Sequence, residues 1–231
     1  MSGAPADPPT APTPRLPRGF YRQDPITVAR ALLGQRLVGV RGGHRVAGTI
    51  VETEAYLGYR DAAAHSFQWR KTPRTQTMFA DGGTAYVFLN YGIHHLLNVV
   101  VAKAEEPQAV LIRAVEPTEG LDVMRTRRPK ARRDRDLCSG PGKVGAAFAV
   151  DRGDDGLDLT TSDTLWLERR RGDTPAPGSV VACPRIGVDY AGPWALTPLR
   201  YYLPESIHVS RRWPPAARGR KAGKGNKESK S

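Results

Sequence analysis

Five strand-sized runs follow one another with little helical sequence between them: LVGV (37–40), VAGTIVETEAY (46–56), TAYVFLNY (84–91), IHHLLNVVVA (93–102) and AVLIRAV (109–115). Their β-branched and aromatic content favours extended backbone. Strands arriving in this order predict an α+β chain with a mixed, largely antiparallel sheet, and exclude a βαβ nucleotide fold. Tyr91-Gly92 between two of the runs predicts a protruding β-hairpin, with the glycine supplying positive φ. Asp24-Pro25 before ITVARALLGQ reads as a capped amphipathic helix ending near Gly34. Residues 116–128 and 141–149 read as further helices, and VVACPRIGV (180–188) as a late strand.

The length of 231 residues suits a single domain. Residues 1–17, rich in Pro and Ala, read as a disordered lead-in, residues 18–210 as the domain, and residues 211–231 as a disordered tail. That tail carries eight basic residues against one acid. It is either a solubilising extension or an arm attracted to phosphates. The net charge of +12 points to a polyanion partner: DNA, RNA or an anionic membrane surface. No apolar run reaches membrane-spanning length, and the N-terminus lacks the basic-then-apolar order of a secretory signal. With two cysteines, Cys138 and Cys183, far apart, the chain is expected in a reducing cytoplasm, nucleoid-associated through DNA if bacterial. No CxxC or HExxH pattern supports a metal site.

Four constellations can carry chemistry. Glu52 and Glu54 share a face of one strand, about 6.5–7 Å apart, and Tyr56 continues that face. Such a pair is either solvated and salt-bridged or part of a site; the turn-rich continuation to His65 favours the site. The hairpin YVFLNYGIHHLLNVVV (86–101) puts Tyr91 at its tip, as ordinary packing or as a wedge between stacked bases. His94 and His95 point to opposite faces and do not share a metal. RTRRPKARRDRDLCSGPGK (125–143) holds eight basic residues and two aspartates. Its SGPGK end reads as a helix start with Ser139 as cap, Pro141 in the first turn and Lys143 adding charge, a phosphate contact but no Walker loop. Arg113, inside an apolar strand, requires a carboxylate if buried, and Glu52 or Glu54 is the natural partner.

Taken in order, the segments GTIVETEAYLG, AAAH, TPRTQTMF, GTAYVF, YGIHHLLNVV, VLIRAVEP, LCSGPGK and RIGV resemble the 3-methyladenine DNA glycosylases of the alkyladenine (methylpurine) type. The resemblance runs from about Gly19 to Tyr202. It implies Glu54 as the general base, Glu52 as its support and Arg113 as the residue that helps hold the water. It also implies Tyr56, His65 and Phe88 as walls stacking on a flipped-out base, Phe88 standing where better-studied members carry tyrosine. Asn98 matches the pocket asparagine that excludes the 2-amino group of guanine, and Tyr91 the residue that fills the gap in the DNA. Thr72, Arg74, Ser139 and Lys143 fall in segments near the DNA backbone. The activity so implied is release of 3-methyladenine, 7-methylguanine, hypoxanthine or ethenoadenine from double-stranded DNA by a monomer. It requires neither cofactor nor metal, leaves an abasic site and, with no obvious amine nucleophile, does not nick the strand. Two alternatives are a non-catalytic lesion-binding protein on the same scaffold and a carbohydrate glycosidase using Glu52 and Glu54.

Overall fold

The computed structural model describes residues 14–170 and 180–214. After α1 (Arg18–Tyr21), Asp24 caps α2 (Pro25–Leu32) by accepting the amides of Ile26 and Thr27 at 3.1 and 3.0 Å. Pro25, with no amide to satisfy, opens the helix. The helix buries Val28, Ala29 and Leu32 against β2 (His44–Tyr56), where the Thr53 hydroxyl donates to the Ala29 carbonyl at 2.8 Å.

Every pairing of the eight-stranded sheet is antiparallel among the described residues, in the order β3 (Ala85–Asn90), β4 (His94–Val101), β5 (Gln108–Glu119), β2, β1 (Arg36–Arg41), β6 (Leu165–Glu168). β7 (Val181–Cys183) joins through β8 (Arg200–Tyr202), which pairs with Glu52–Glu54 of β2. β2 is therefore the spine: β5 lies along one side, and β1 and then β8 along the other. It is buried almost without interruption from Val46 to Ala55, with no solvent-facing alternation. Glu52 and Glu54 are both 0% exposed, so the solvated-strand alternative fails.

Two register shifts sit at this point. Ile50 opposes Val115, Glu52 opposes Ala114 and Thr53 opposes Ile112, leaving Val51 and then Arg113 as the extra residues of adjacent bulges. Bulges re-aim side chains next to sites, and here they bring Arg113 to both glutamates.

Several expected boundaries move. Residues 116–119 belong to β5, not to a helix, because they pair with Ala47–Thr49; Pro117 is accommodated opposite Gly48 beside a register shift. The helix α3 (Leu121–Arg127) begins only after Gly120, at φ +71°. α4 (Arg135–Cys138) and α5 (Pro141–Phe148) follow. Ser139 does not cap α5: Gly140 is the cap residue, and the Ser139 hydroxyl accepts from the Lys143 ammonium at 3.1 Å. The strand expected over 180–188 stops at Cys183, since Pro184 has no amide for a ladder. The last residues of the expected lead-in are packed: Leu16 is fully buried and its amide donates to the Leu167 carbonyl. The first residues of the expected tail are packed as well: the Arg211 carbonyl accepts from Arg200, and the Trp213 amide donates to the Tyr202 hydroxyl. The rest of both expected tails lies outside the described residues. No helix among the described residues is long and apolar enough to cross a membrane.

α5 lies hard against β4. A Cβ added at Gly142 would stand 2.7 Å from the His94 ring, and one at Gly145 would run into the His95 carbonyl oxygen. Gly145→Ala is therefore expected to lose about 2 kcal/mol of stability through overpacking, read as a lower urea midpoint with unchanged slope.

Candidate active site

Glu52 is the anchor of a buried charge cluster. Its Oε1 accepts from Arg113 Nε (3.2 Å), Arg200 Nη1 (2.9 Å) and the Ser210 hydroxyl (2.9 Å), and its Oε2 accepts from the Ser210 amide (2.6 Å). Glu54 is held differently. Its Oε2 meets Arg113 Nη1 at 3.2 Å and accepts the Tyr56 hydroxyl at 2.9 Å, while Oε1 accepts the Ile186 amide at 2.8 Å. One guanidinium thus bridges the two carboxylates. Burial opposes charge on Arg113, but Glu54 and Glu52 outweigh it and hold its pKa above the ordinary arginine value. Burial and then the Glu54 carboxylate push the Tyr56 phenol well up, so it remains a donor at any working pH.

Tyr56 and Arg113 form part of the wall of a cavity of about 260 Å³, together with His65, Phe88, Asn98 and Tyr91. Glu54 itself is one layer back, touching the wall through Tyr56, Arg113 and Ile186. The His65 and Phe88 rings meet edge to face at 4.5 Å, and His65 Nδ1 lies 2.8 Å from the Tyr86 hydroxyl. Burial, then the charges of Arg74 and Arg70, lower the His65 pKa to about 4, so the ring is neutral near pH 7. Because this folded pKa lies below the unfolded value near 6.5, the stability from keeping the ring neutral is full above about pH 6.5. It is lost as pH falls towards 4. Imidazole titration by NMR is expected to return this low pKa and to move upward in Arg74→Gln; an unperturbed value in the parent chain would refute the assignment.

Asn98 is fixed by its own amide, which donates to the Tyr86 and Leu96 carbonyls at 3.1 and 3.4 Å. Any discrimination it provides is therefore by shape and by its remaining oxygen. At the hairpin tip Tyr91 is 88% exposed, and it takes positive φ (+49°) together with Gly92 (+70°). Leu89 and Ile93 beside it are exposed as well. Thr72 and Arg74 line a second groove that shares His65 and Tyr190 with the cavity. Ser139 bridges to Ala114, the neighbour of Arg113, and Pro141 lines the cavity, which brings the Ser139–Lys143 end of α5 to the same mouth.

Three contributors escaped sequence reasoning. Tyr86 shares a strand face with Phe88, and its period-two spacing is a usable signal. Arg185 forms a fork to Asp61 at 2.5 and 2.8 Å, both side chains 0% exposed, and its guanidinium lies 4.6 Å from the Tyr56 ring centre. Nothing in the spacing of residues 61 and 185 announces that pair. The Ile186 amide is a backbone group and has no signature at all.

Residues 19–207 match the model of the methylpurine-DNA glycosylases. The chain belongs to that family. A DNA-3-methyladenine glycosylase of Mus musculus is 46% identical over 205 residues, 85% of this chain and 61% of the mouse protein. The Homo sapiens DNA-3-methyladenine glycosylase is 43% identical over 205 residues, 85% of this chain and 68% of the human protein. A protein of Methanocella arvoryzae carrying a 3-methyladenine DNA glycosylase name is 48% identical over 201 residues, 87% of this chain and 98% of its own length. The β2–β5 carboxylate–arginine cluster and the aromatic cavity of this methylpurine-DNA glycosylase family member both lie within the matched residues.

Proposed function

We propose that this chain is a monofunctional DNA-repair glycosylase. It receives an alkylated or deaminated purine (3-methyladenine, 7-methylguanine, hypoxanthine or ethenoadenine) flipped from duplex DNA into the aromatic cavity and hydrolyses its N-glycosidic bond. Modified purines unpair more cheaply than normal ones, which favours their extrusion. Tyr56, His65 and Phe88 offer π-faces for the base, and Tyr91 at the hairpin tip takes its place in the stack. Thr72, Arg74, Ser139 and Lys143, around the mouth, hold the backbone.

The observation that carries this reading is the Glu54–Arg113–Tyr56 contact at the cavity wall. An ionised carboxylate has about four lone-pair directions; Oε2 uses two on Tyr56 and Arg113, and Oε1 one on Ile186. The purine leaves with the glycosidic electron pair, and a water admitted past the Tyr56–Arg113 wall to the remaining direction on Oε1 then adds to the sugar C1′ as Glu54 takes its proton. The same negative charge stabilises the oxocarbenium-like sugar between the two events. Arg113 keeps the carboxylate aimed. No lysine lines the cavity among the described residues, which supports direct hydrolysis over a Schiff base. No step requires a metal or cofactor, and the protein acts as a monomer.

The test is base release from a duplex with one hypoxanthine or ethenoadenine, with and without alkali, beside alkylated DNA assayed for free 3-methyladenine. Strand breaks that appear only after alkali support hydrolysis. Breaks before alkali would reveal a lyase, and tight binding without base release would make the chain a lesion-binding protein.

A further inference from the structure

The turn Phe67–Arg70 is built against the preference of its residues. The Arg70 amide closes it on the Phe67 carbonyl at 3.2 Å, and both central residues take left-handed backbone, Gln68 at φ +54° and Trp69 at φ +61°. That is the conformation in which glycine, asparagine and aspartate are the usual occupants. A bulky aromatic there is strained, and such strain gathers at ligand clamps.

The turn presents Trp69 with half of its surface in solvent, 51% exposed. One indole face lies flat on Tyr59, with ring centres 4.5 Å apart and planes 12° from parallel. The Arg60 guanidinium also packs on Tyr59, 5.0 Å from its ring centre. Trp69 is thus held by Tyr59 on one face while half of its surface stays open to solvent. On the other side of the turn, Gln68 and Arg70 line the groove that continues through His65 into the base cavity. That groove carries Arg70 and Arg74 and no carboxylate.

We propose that the open face of Trp69 is a second stacking site, for an unpaired nucleobase of the DNA whose backbone runs through the Arg70–Arg74 groove. An exposed, pre-stacked indole loses little rotamer freedom on binding, and every base offers a π-face, so the contact adds affinity without sequence preference. The cationic groove supplies the complementary charge. The site lies outside the cavity and contributes to holding DNA, not to bond cleavage. It rests on the glycosylase reading for its partner.

The experiment measures two independent quantities on the full chain and its Trp69→Ala and Trp69→Phe variants. One is Kd for a duplex carrying an uncleavable abasic-site analogue. The other is the single-turnover rate of base release from an ethenoadenine duplex at saturating enzyme. Trp69→Ala is expected to weaken Kd by roughly tenfold, the scale of one base–aromatic stack, with Trp69→Phe near the parent and all three release rates equal within about twofold. Unchanged Kd in Trp69→Ala, or equal loss in both variants, overturns the stacking site. Trp69-dependent binding with no base release by the parent chain would leave the stacking site standing and sink the catalytic reading.

Discussion

Glu54→Gln is expected to slow single-turnover base release by about a hundred- to ten-thousandfold, the range a positioned general base contributes, while damaged-duplex affinity changes little. The glutamine can still accept the Ile186 amide, and Arg113 keeps Glu52 as partner at 3.2 Å. What disappears, on the proposed mechanism, is the proton acceptor for water. The aromatic walls are untouched, so the base still enters. A variant within tenfold of the parent would remove Glu54 from the mechanism.

Asp61→Ala is expected to cost about 3–5 kcal/mol of stability, the usual result of stranding one member of a buried ion pair. For a chain of this size that corresponds to a fall in Tm of roughly 6–20 °C. Arg185 would keep only the Ala55 carbonyl at 3.0 Å as a partner near Tyr56. Asp61 also accepts the amides of Leu57 and Ala63, each at 3.0 Å, so the loop leaving β2 loses its pin as well. Differential scanning calorimetry measures the loss. Replacing Arg185 with methionine in the same chain is expected to recover part of it, since the uncompensated charge is then gone. A melting temperature within 2 °C of the parent in Asp61→Ala would show that the pair carries no net stability.

Sequence patterning exposed the hairpin, the capped second helix and the meeting of Arg113 with a glutamate. Each follows from a local rule: a Tyr-Gly turn between two β-branched and aromatic runs, an Asp-Pro start, or the cost of an unpaired cation in an apolar strand. The resemblance added roles for those residues. Glu-Pro at 116–117 misled because it also opens helices, and only pairing with Ala47–Thr49 makes it strand. The bulges at Val51 and Arg113 depend on the partner strand and leave no mark in either segment alone. Asp61–Arg185 and Glu52–Ser210 join residues far apart in the chain, where no periodicity reaches.

The Glu52–Ser210 contact also sets when the enzyme becomes itself during synthesis. Ser210 lies 158 residues after Glu52. A nascent chain emerging from the ribosome can pair β3 with β4 early, because those strands are near neighbours in sequence. The clamp on Glu52 waits for Arg200 and Ser210 to emerge. Long-range closures of this kind come late in folding. The buried charge cluster is therefore completed last, well after the strands that carry Glu52, Glu54 and Arg113.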